Sequence, residues 1–381
     1  MGNYLNPGNK GFRESLNSEI YVDKTLLIDK TNAVLNTRQK FLCISRPRRF
    51  GKSMAADMLA AYYDREEDSS GLFEKLAISQ KESYKKNLNQ YDVIKINMQE
   101  FLSVTGDIDE MLRILQSRII ADLKRRYPEY VDGSCLMFVM QDIFAFTKKS
   151  FVILIDEWDC LFREYQQDTD AQKKYLDFLR AWLKDKDYVA LAYMTGILPI
   201  AKYSSGSELN MFLEYTMTAR EKYSEYFGFT EAEVDLLYER YLRFHPSPAI
   251  SREGLTRWYD GYQTISGKKL YNPRSVVAAL SDGQLGSYWT SSGPYDEIFY
   301  YIERDIDQVR NDLALMISGT PVPANIQEYA ATSMELTTRD EIFSAMVVYG
   351  FLTYKDGCVS IPNKELMDKF ADMIRKHLLS S

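Results

Sequence analysis

The stretch Phe41 to Ser53, FLCISRPRRFGKS, decides how the rest of the chain is read. Five apolar or small residues, Phe41 to Ser45, form a run short enough for a buried strand. Arg, Pro and Gly then make a turn, and from Lys52 to Tyr63 the residues Met54, Met58, Leu59 and Tyr62 recur at helical spacing. A strand that feeds a loop opening a helix aims backbone N–H groups and the positive helix end at one point, which suits a polyphosphate. The last three positions, Gly51, Lys52 and Ser53, fit the pattern G-x-x-x-x-G-K-[ST], with Arg46 standing where the first glycine normally sits. Gly51 lets the backbone approach the ligand, Lys52 supplies a mobile charge for the outer phosphates, and Ser53 is placed to offer its hydroxyl to Mg²⁺. The segment expected to wrap a nucleotide is therefore Arg48, Arg49, Phe50, Gly51, Lys52, Ser53 and Met54.

A second run, Phe151 to Ile155 (FVILI), has no polar residue and ends directly in Asp156, Glu157, Trp158 and Asp159. Such a strand is covered on both faces, and its acids fall at the carboxyl edge of the sheet, where open α/β folds bind ligands. Asp156 is expected to hold Mg²⁺, through water, and Glu157 to orient or deprotonate the attacking water, because a carboxylate beside a metal but not bound to it can act as a base. Asp92 to Met98 and Val189 to Met194 read as two further strands, with helices at Ile108 to Arg126 and about Ala171 to Lys184. Four buried strands joined by helices predict a parallel α/β sheet. Thr195 ends the last strand; it suits either a sensor of the terminal phosphate or a hydroxyl bonding local backbone. Arg46, Arg48 and Arg49 raise local positive potential, whether they stabilise a transferring phosphoryl group, reach a neighbouring subunit's nucleotide or face solvent.

Past Phe227 the pattern changes. Thr230 caps a helix starting at Glu231, with Glu233 in the capping-box position, and helical and aromatic segments continue to about Leu336 with no further apolar strand. Thr337 to Gly350 reads as a helix, Phe351 to Ile361 as a hairpin turning at Asp356 and Gly357, and Lys364 to His377 as a last helix, an order that resembles a winged-helix module. The expected domains are an ATPase core over 1–228, a lid-like helical domain over 229–336 and the winged-helix-like module over 337–381. Trp258 to Tyr262 and Tyr288 to Trp289 are aromatic segments read as core and lid packing, since the chain carries 28 tyrosines and rings are not scarce.

Composition narrows the chemistry. With 47 basic and 54 acidic side chains, no general field attracts a nucleic-acid backbone, so nucleic-acid binding would need a local patch. The winged-helix-like segment does not offer one: Arg339, Lys355, Lys364, Lys369, Arg375 and Lys376 are matched by Asp340, Glu341, Asp356, Glu365, Asp368 and Asp372. Packing against a protein neighbour is the better use of that surface. Cys43, Cys135, Cys160 and Cys358 lie far apart, arguing against a disulfide framework or zinc site, and a reducing cytoplasm is the expected home. His245 and His377 are the only histidines, so a bound cation must rely on oxygen ligands. The longest apolar stretch, Val189 to Ala201, is interrupted by Gly196 and Pro199, so no membrane span is expected.

The blocks YVDKT at Tyr21 to Thr25, SRPRRFGKS at Ser45 to Ser53 and LIDEWD at Leu154 to Asp159 resemble the bacterial AAA-ATPase-like family. MTGILPIAKY at Met194 to Tyr203, LNMF at Leu209 to Phe212, WYDGY at Trp258 to Tyr262, YNPRSV at Tyr271 to Val276 and YWTSSG at Tyr288 to Gly293 are similar to its later blocks, in the same order. The resemblance implies a P-loop core of the additional-strand type, ATP rather than GTP, Walker A roles for Lys52 and Ser53, and Walker B roles for Asp156 and Glu157. Family members often continue into a C-terminal nuclease-like domain of the PD-(D/E)xK type; no acid cluster followed by an E-x-K strand is found here, so that activity is not carried over. Two functions remain: a Mg·ATP hydrolase whose nucleotide state moves the Phe227 to Leu336 region, or a slow nucleotide switch that docks a partner. Assembly into an oligomer stays open.

Overall fold

The apolar runs pair side by side in a computed structural model that describes residues 2–200, 209–289, 307–327 and 336–380. The family-like blocks are therefore covered except at their edges: Ala201 to Tyr203, Thr290 to Gly293 and the parts of the expected helical region at 290–306 and 328–335 lie outside the described residues. The strands are β1 (Phe41–Ser45), β2 (Asp92–Asn97), β3 (Phe151–Asp156), β4 (Val189–Gly196) and β5 (Leu213–Tyr215), in the order β2-β3-β4-β1-β5. The pairs β2/β3, β3/β4 and β4/β1 are all parallel. β4 thus lies between the strand that feeds the phosphate loop and the strand that ends in the acids, which is the additional-strand arrangement expected.

Register does the positioning. Ser45 lies opposite Gly196, Ile44 opposite Thr195, Ile155 opposite Met194 and Asn97 opposite Asp156. Four strand ends therefore finish level with one another to within a residue. β3 and β4 are buried along their whole length, as runs without polar residues require. Helices occupy Lys52–Tyr63, Ile108–Arg126 and Thr169–Leu183, and the Asp107 side chain caps the second by accepting from Glu110 N–H. Several elements were not anticipated, among them a helix and a strand of the sheet domain. The helix Leu136–Thr147 is so apolar that periodicity alone cannot separate it from a strand, and β5 is three residues of which one is buried.

By contact the chain forms two compact units. The first comprises Met1–Ser45, Lys52–Gly196 and Ile200–Glu214; the second comprises Arg46–Gly51, Ile197–Pro199 and Tyr215–Ser381. Within the second, Thr230 accepts from Glu233 N–H while the Glu233 carboxylate accepts from Thr230 N–H, completing the capping box of the helix Glu231–Phe244. Three short strands interrupt the expected helical region: β6 (Tyr262–Gln263) pairs with β7 (Lys269–Leu270), and β8 (Val322–Pro323) joins a later sheet. Each has two residues, too few to leave a pattern in sequence. The helix Arg339–Tyr349 ends at Gly350 in the left-handed conformation, followed by a hairpin of β9 (Thr353–Lys355) and β10 (Cys358–Ser360) and the helix Lys364–Ser380. Asp356 and Gly357 both have positive φ, as a two-residue hairpin turn of the primed kind demands. The core of this unit gathers Phe50, Tyr262, Leu313, Phe343, Met346, Phe351 and Val359. Among the described residues no helix is long and apolar enough to cross a membrane.

Candidate active site

Strand ends place the polar residues of the first unit. The helix after the loop starts at Lys52, so Lys52 and Ser53 sit in its first turn. Asp156 is the last residue of β3, and Thr195 is the next-to-last of the neighbouring β4. The consequence is a convergence on one carboxylate: Ser53 Oγ donates to Asp156 Oδ2 and Thr195 Oγ1 donates to Asp156 Oδ1, each at 2.5 Å, and Glu157 N–H donates to Oδ1 at 3.1 Å. Asp156 is buried, and both its oxygens accept hydrogen bonds, as a buried polar group requires. Thr195 therefore spends its hydroxyl on a side-chain carboxylate rather than on local backbone.

Lys52 is buried as well. Burial pushes its ammonium down to about 8, and the nearby charges of Asp156, Glu157 and Asp159 pull it partly back.

Glu157 is reached by a sharp bend. Its φ is +56°, in the left-handed region that costs a non-glycine residue about 1 kcal/mol. The residues on either side hold it there, since Asp156 is fixed by three hydrogen bonds and Trp158 is fully buried with its N–H donating to Thr195 O at 3.1 Å. The Tyr175 hydroxyl donates to Trp158 O at 2.5 Å. Gly196 belongs to the same packing: a Cβ there would lie 2.6 Å from Asp159 Oδ1 and 2.8 Å from the Trp158 ring.

One side chain beside these acids escaped the sequence reading. Arg163, in the short helix Cys160–Glu164, donates from Nε to Asp159 Oδ2 at 3.2 Å and pairs through Nη2 with Glu157 Oε2. The signal was present as an acid and an arginine four apart, Asp159 and Arg163, directly after the catalytic-acid pattern.

The remaining loop residues belong to the second unit. Gly51 has φ +90° and a Cβ there would meet nothing within 4 Å, so the backbone conformation alone calls for glycine. Phe50 is fully buried and stands edge-on to Tyr262 at 5.0 Å between ring centroids. Arg49 donates to Tyr288 O at 3.5 Å, and Arg48 is half-buried. Arg46 is buried, with its guanidinium donating to Tyr215 O at 2.9 Å and to Ser224 Oγ at 3.3 Å. Met54, on the outward side of the helix in the first unit, is half exposed.

The family model described as "Predicted AAA-ATPase" matches residues 10–205, just over half of the chain, and spans both the phosphate-loop pattern and the acids after β3. The chain belongs to the AAA-ATPase-like family. This AAA-ATPase-like protein is 26% identical over 282 residues to an uncharacterized protein in the vnfD 5′ region of Azotobacter chroococcum mcd 1, an alignment covering 71% of the chain and 51% of that protein. It thus spans about half the length of that curated relative. Among solved structures it is similar to the Walker-type ATPase PABY2304 of Pyrococcus abyssi, at 13% identity, TM-score 0.49 and coverage of 91% and 94%. The ORC2 protein of Aeropyrum pernix in ADPNP–ADP complexes is similar at 10% identity, TM-score 0.42 and coverage of 98% and 99%. Family membership supports nucleotide binding by this protein; identities this low transfer no residue role.

Proposed function

We propose that the protein binds Mg·ATP at the loop Arg46 to Ser53 and hydrolyses it with Glu157 as the base that activates water. The observation that carries this reading is the convergence of Ser53, Thr195 and the buried Lys52 on Asp156 at the level ends of adjacent strands. In that arrangement Lys52 binds the β and γ phosphate oxygens, backbone N–H groups from Arg48 to Met54 cradle the chain of phosphates, and Thr195 fixes Asp156 and senses the terminal phosphate.

Ser53 and Asp156 fit a magnesium ion. Mg²⁺ takes few protein ligands and draws the rest from phosphate and water, and a hydroxyl beside a carboxylate at 2.5 Å is such a pair of hard oxygens. Among the described residues no group of three or more His, Cys, Asp or Glu side chains could hold a metal ion. Bound there, Mg²⁺ would neutralise charge on the phosphates. The chain's own part is to hold Lys52 and Ser53 on the helix, to fix Asp156 through its hydrogen bonds, and to keep Glu157 within reach of the water but off the metal.

Chain continuity supports coupling of nucleotide state to residues 229–336 as a lid-like region, with 1–228 as core and 337–381 as a winged-helix-like module. Residues Arg46–Gly51 pack with the second unit, and the helix they open packs with the first.

The test is a pair of variants assayed with ATP and GTP. Lys52→Ala should weaken nucleotide binding by about 10- to 100-fold, the worth of a charge-assisted contact. Glu157→Gln should keep affinity and lose at least about 100-fold in turnover. Unchanged affinity in the first variant would refute the phosphate loop, and a parental rate in the second would refute the base. Tight binding with no turnover in the parent would favour instead a nucleotide-dependent switch that docks a protein partner.

A further inference from the structure

We propose that Arg163 parks Glu157: by pairing with this carboxylate it restrains basal turnover, and hydrolysis requires Glu157 to exchange Arg163 for the attacking water. The inference rests on the reading of Glu157 as the base and adds the residue that governs it.

The geometry sets two unequal partners on one guanidinium. Asp159 is fully buried, packed under Gly196, and its side chain accepts from Arg163 Nε. Glu157 is at the rim, with 28% of its side chain exposed against 6% for Arg163, and it takes the Nη2 end of the fork. A buried guanidinium stays with the partner that would otherwise be left as an uncompensated buried charge, so Asp159 is the anchor. The rim carboxylate is the one that can leave at modest cost, because water can replace the contact it gives up. Its backbone adds to the imbalance: Glu157 sits in the left-handed region between two immobile neighbours, so its only soft motion is side-chain rotation.

While the pair is made, Oε2 of Glu157 is engaged by a donor and turned toward Arg163. A base must instead point a free oxygen at the water, within hydrogen-bond reach. Arg163 is thus a positioning residue, acting through Glu157 and touching no substrate. Lysine in its place supplies one point charge without the fork that spans two carboxylates, so it would serve Asp159 and release Glu157.

The experiment is steady-state ATP hydrolysis by the full chain. Arg163→Lys should raise kcat several-fold with KM within about twofold of the parent. Asp159→Asn should act in the opposite direction, lowering kcat, because it takes the competing carboxylate charge away from Arg163 Nε. Simple damage to the fold would lower both. The double variant Arg163→Lys, Glu157→Gln should turn over no faster than Glu157→Gln, showing that the gain runs through the carboxylate. Equal or lower kcat in Arg163→Lys, with Glu157→Gln inactive, overturns the parking of Glu157 while leaving its role as base intact. Glu157→Gln at the parental rate removes that role itself, and the inference with it.

Discussion

The two ends of the segment Arg46 to Ser53 are held by different chemistry. At the front, Phe50 is set in the hydrophobic core of the second unit and Arg46 donates to a main-chain carbonyl and a serine hydroxyl. At the back, Ser53 bonds a carboxylate and Lys52 lies under the charges of three. Packing and neutral acceptors hold a backbone in place; a hydroxyl bonded to a carboxylate and a desolvated ammonium hold side chains ready for a ligand. The difference says which substitutions belong to stability and which to function, although the residues are neighbours in sequence.

The largest effect is expected at the front. Phe50→Ala should destabilise the protein by about 3 to 5 kcal/mol, since a fully buried ring would be removed from a packed core. Lys52→Ala should shift stability by under about 1 kcal/mol, because the folded state gains little from a cation whose charge burial disfavours. Denaturant unfolding of both variants without nucleotide reads the contrast. Comparable losses would mean that the two ends are not distinguished in this way.

A smaller effect concerns what backs the front of the loop. Glu365 is buried; its carboxylate accepts from Ser275 Oγ, from Tyr288 N–H at 2.7 Å and from Trp289 N–H at 3.3 Å, and Tyr288 O is in turn the acceptor for Arg49. Burial raises this carboxyl from 4.5 to about 7, while those donors and the charge of Arg49 pull it back. The folded state therefore holds the proton more tightly than the unfolded chain does. Its contribution to stability is fully present below pH 4.5 and is lost as pH rises through about 7, up to on the order of 3 kcal/mol. Glu365→Gln carries no such proton, so the stability difference between parent and variant should change across that window in the parent's disfavour. A difference independent of pH would show that Glu365 does not titrate there.

How far the sequence carried can be judged residue by residue. Continuous apolar runs such as FVILI need no context to be read as buried strands, and register then followed, because level strand ends bring Asp156 and Thr195 together. The helix at Lys52–Tyr63, the capping box at Thr230 and the hairpin turn at Asp356 and Gly357 rest on equally local rules. What stayed hidden depends on long-range packing. The pattern of three arginines marks positive charge but not its destination, and Arg46 turns to Tyr215, 169 positions later. Arg163 was invisible as a partner of Glu157 because the left-handed bend at 157 sets the direction of that side chain, and nothing in the residue's identity announces it.

The smallest expected effect sharpens the comparison most, because it falls on a residue with both kinds of neighbour. Thr195 is fully buried in β4 and its hydroxyl donates to Asp156, so it is packed like Phe50 and bonded like Ser53. Thr195→Val keeps the volume and removes the donor, leaving Asp156 with one fewer hydrogen bond at a cost of about 1 to 3 kcal/mol in stability. Thr195→Ser keeps the donor and removes a methyl group, with a cost of about 1 kcal/mol. If Thr195 serves only to hold Asp156, turnover at saturating ATP should fall in the valine variant alone and by no more than the lost bond accounts for, about 5- to 150-fold. A loss beyond that would mean the hydroxyl also meets the terminal phosphate, and a serine variant as slow as valine would move the residue from the bonded class to the packed one, since only the methyl distinguishes it from the parent.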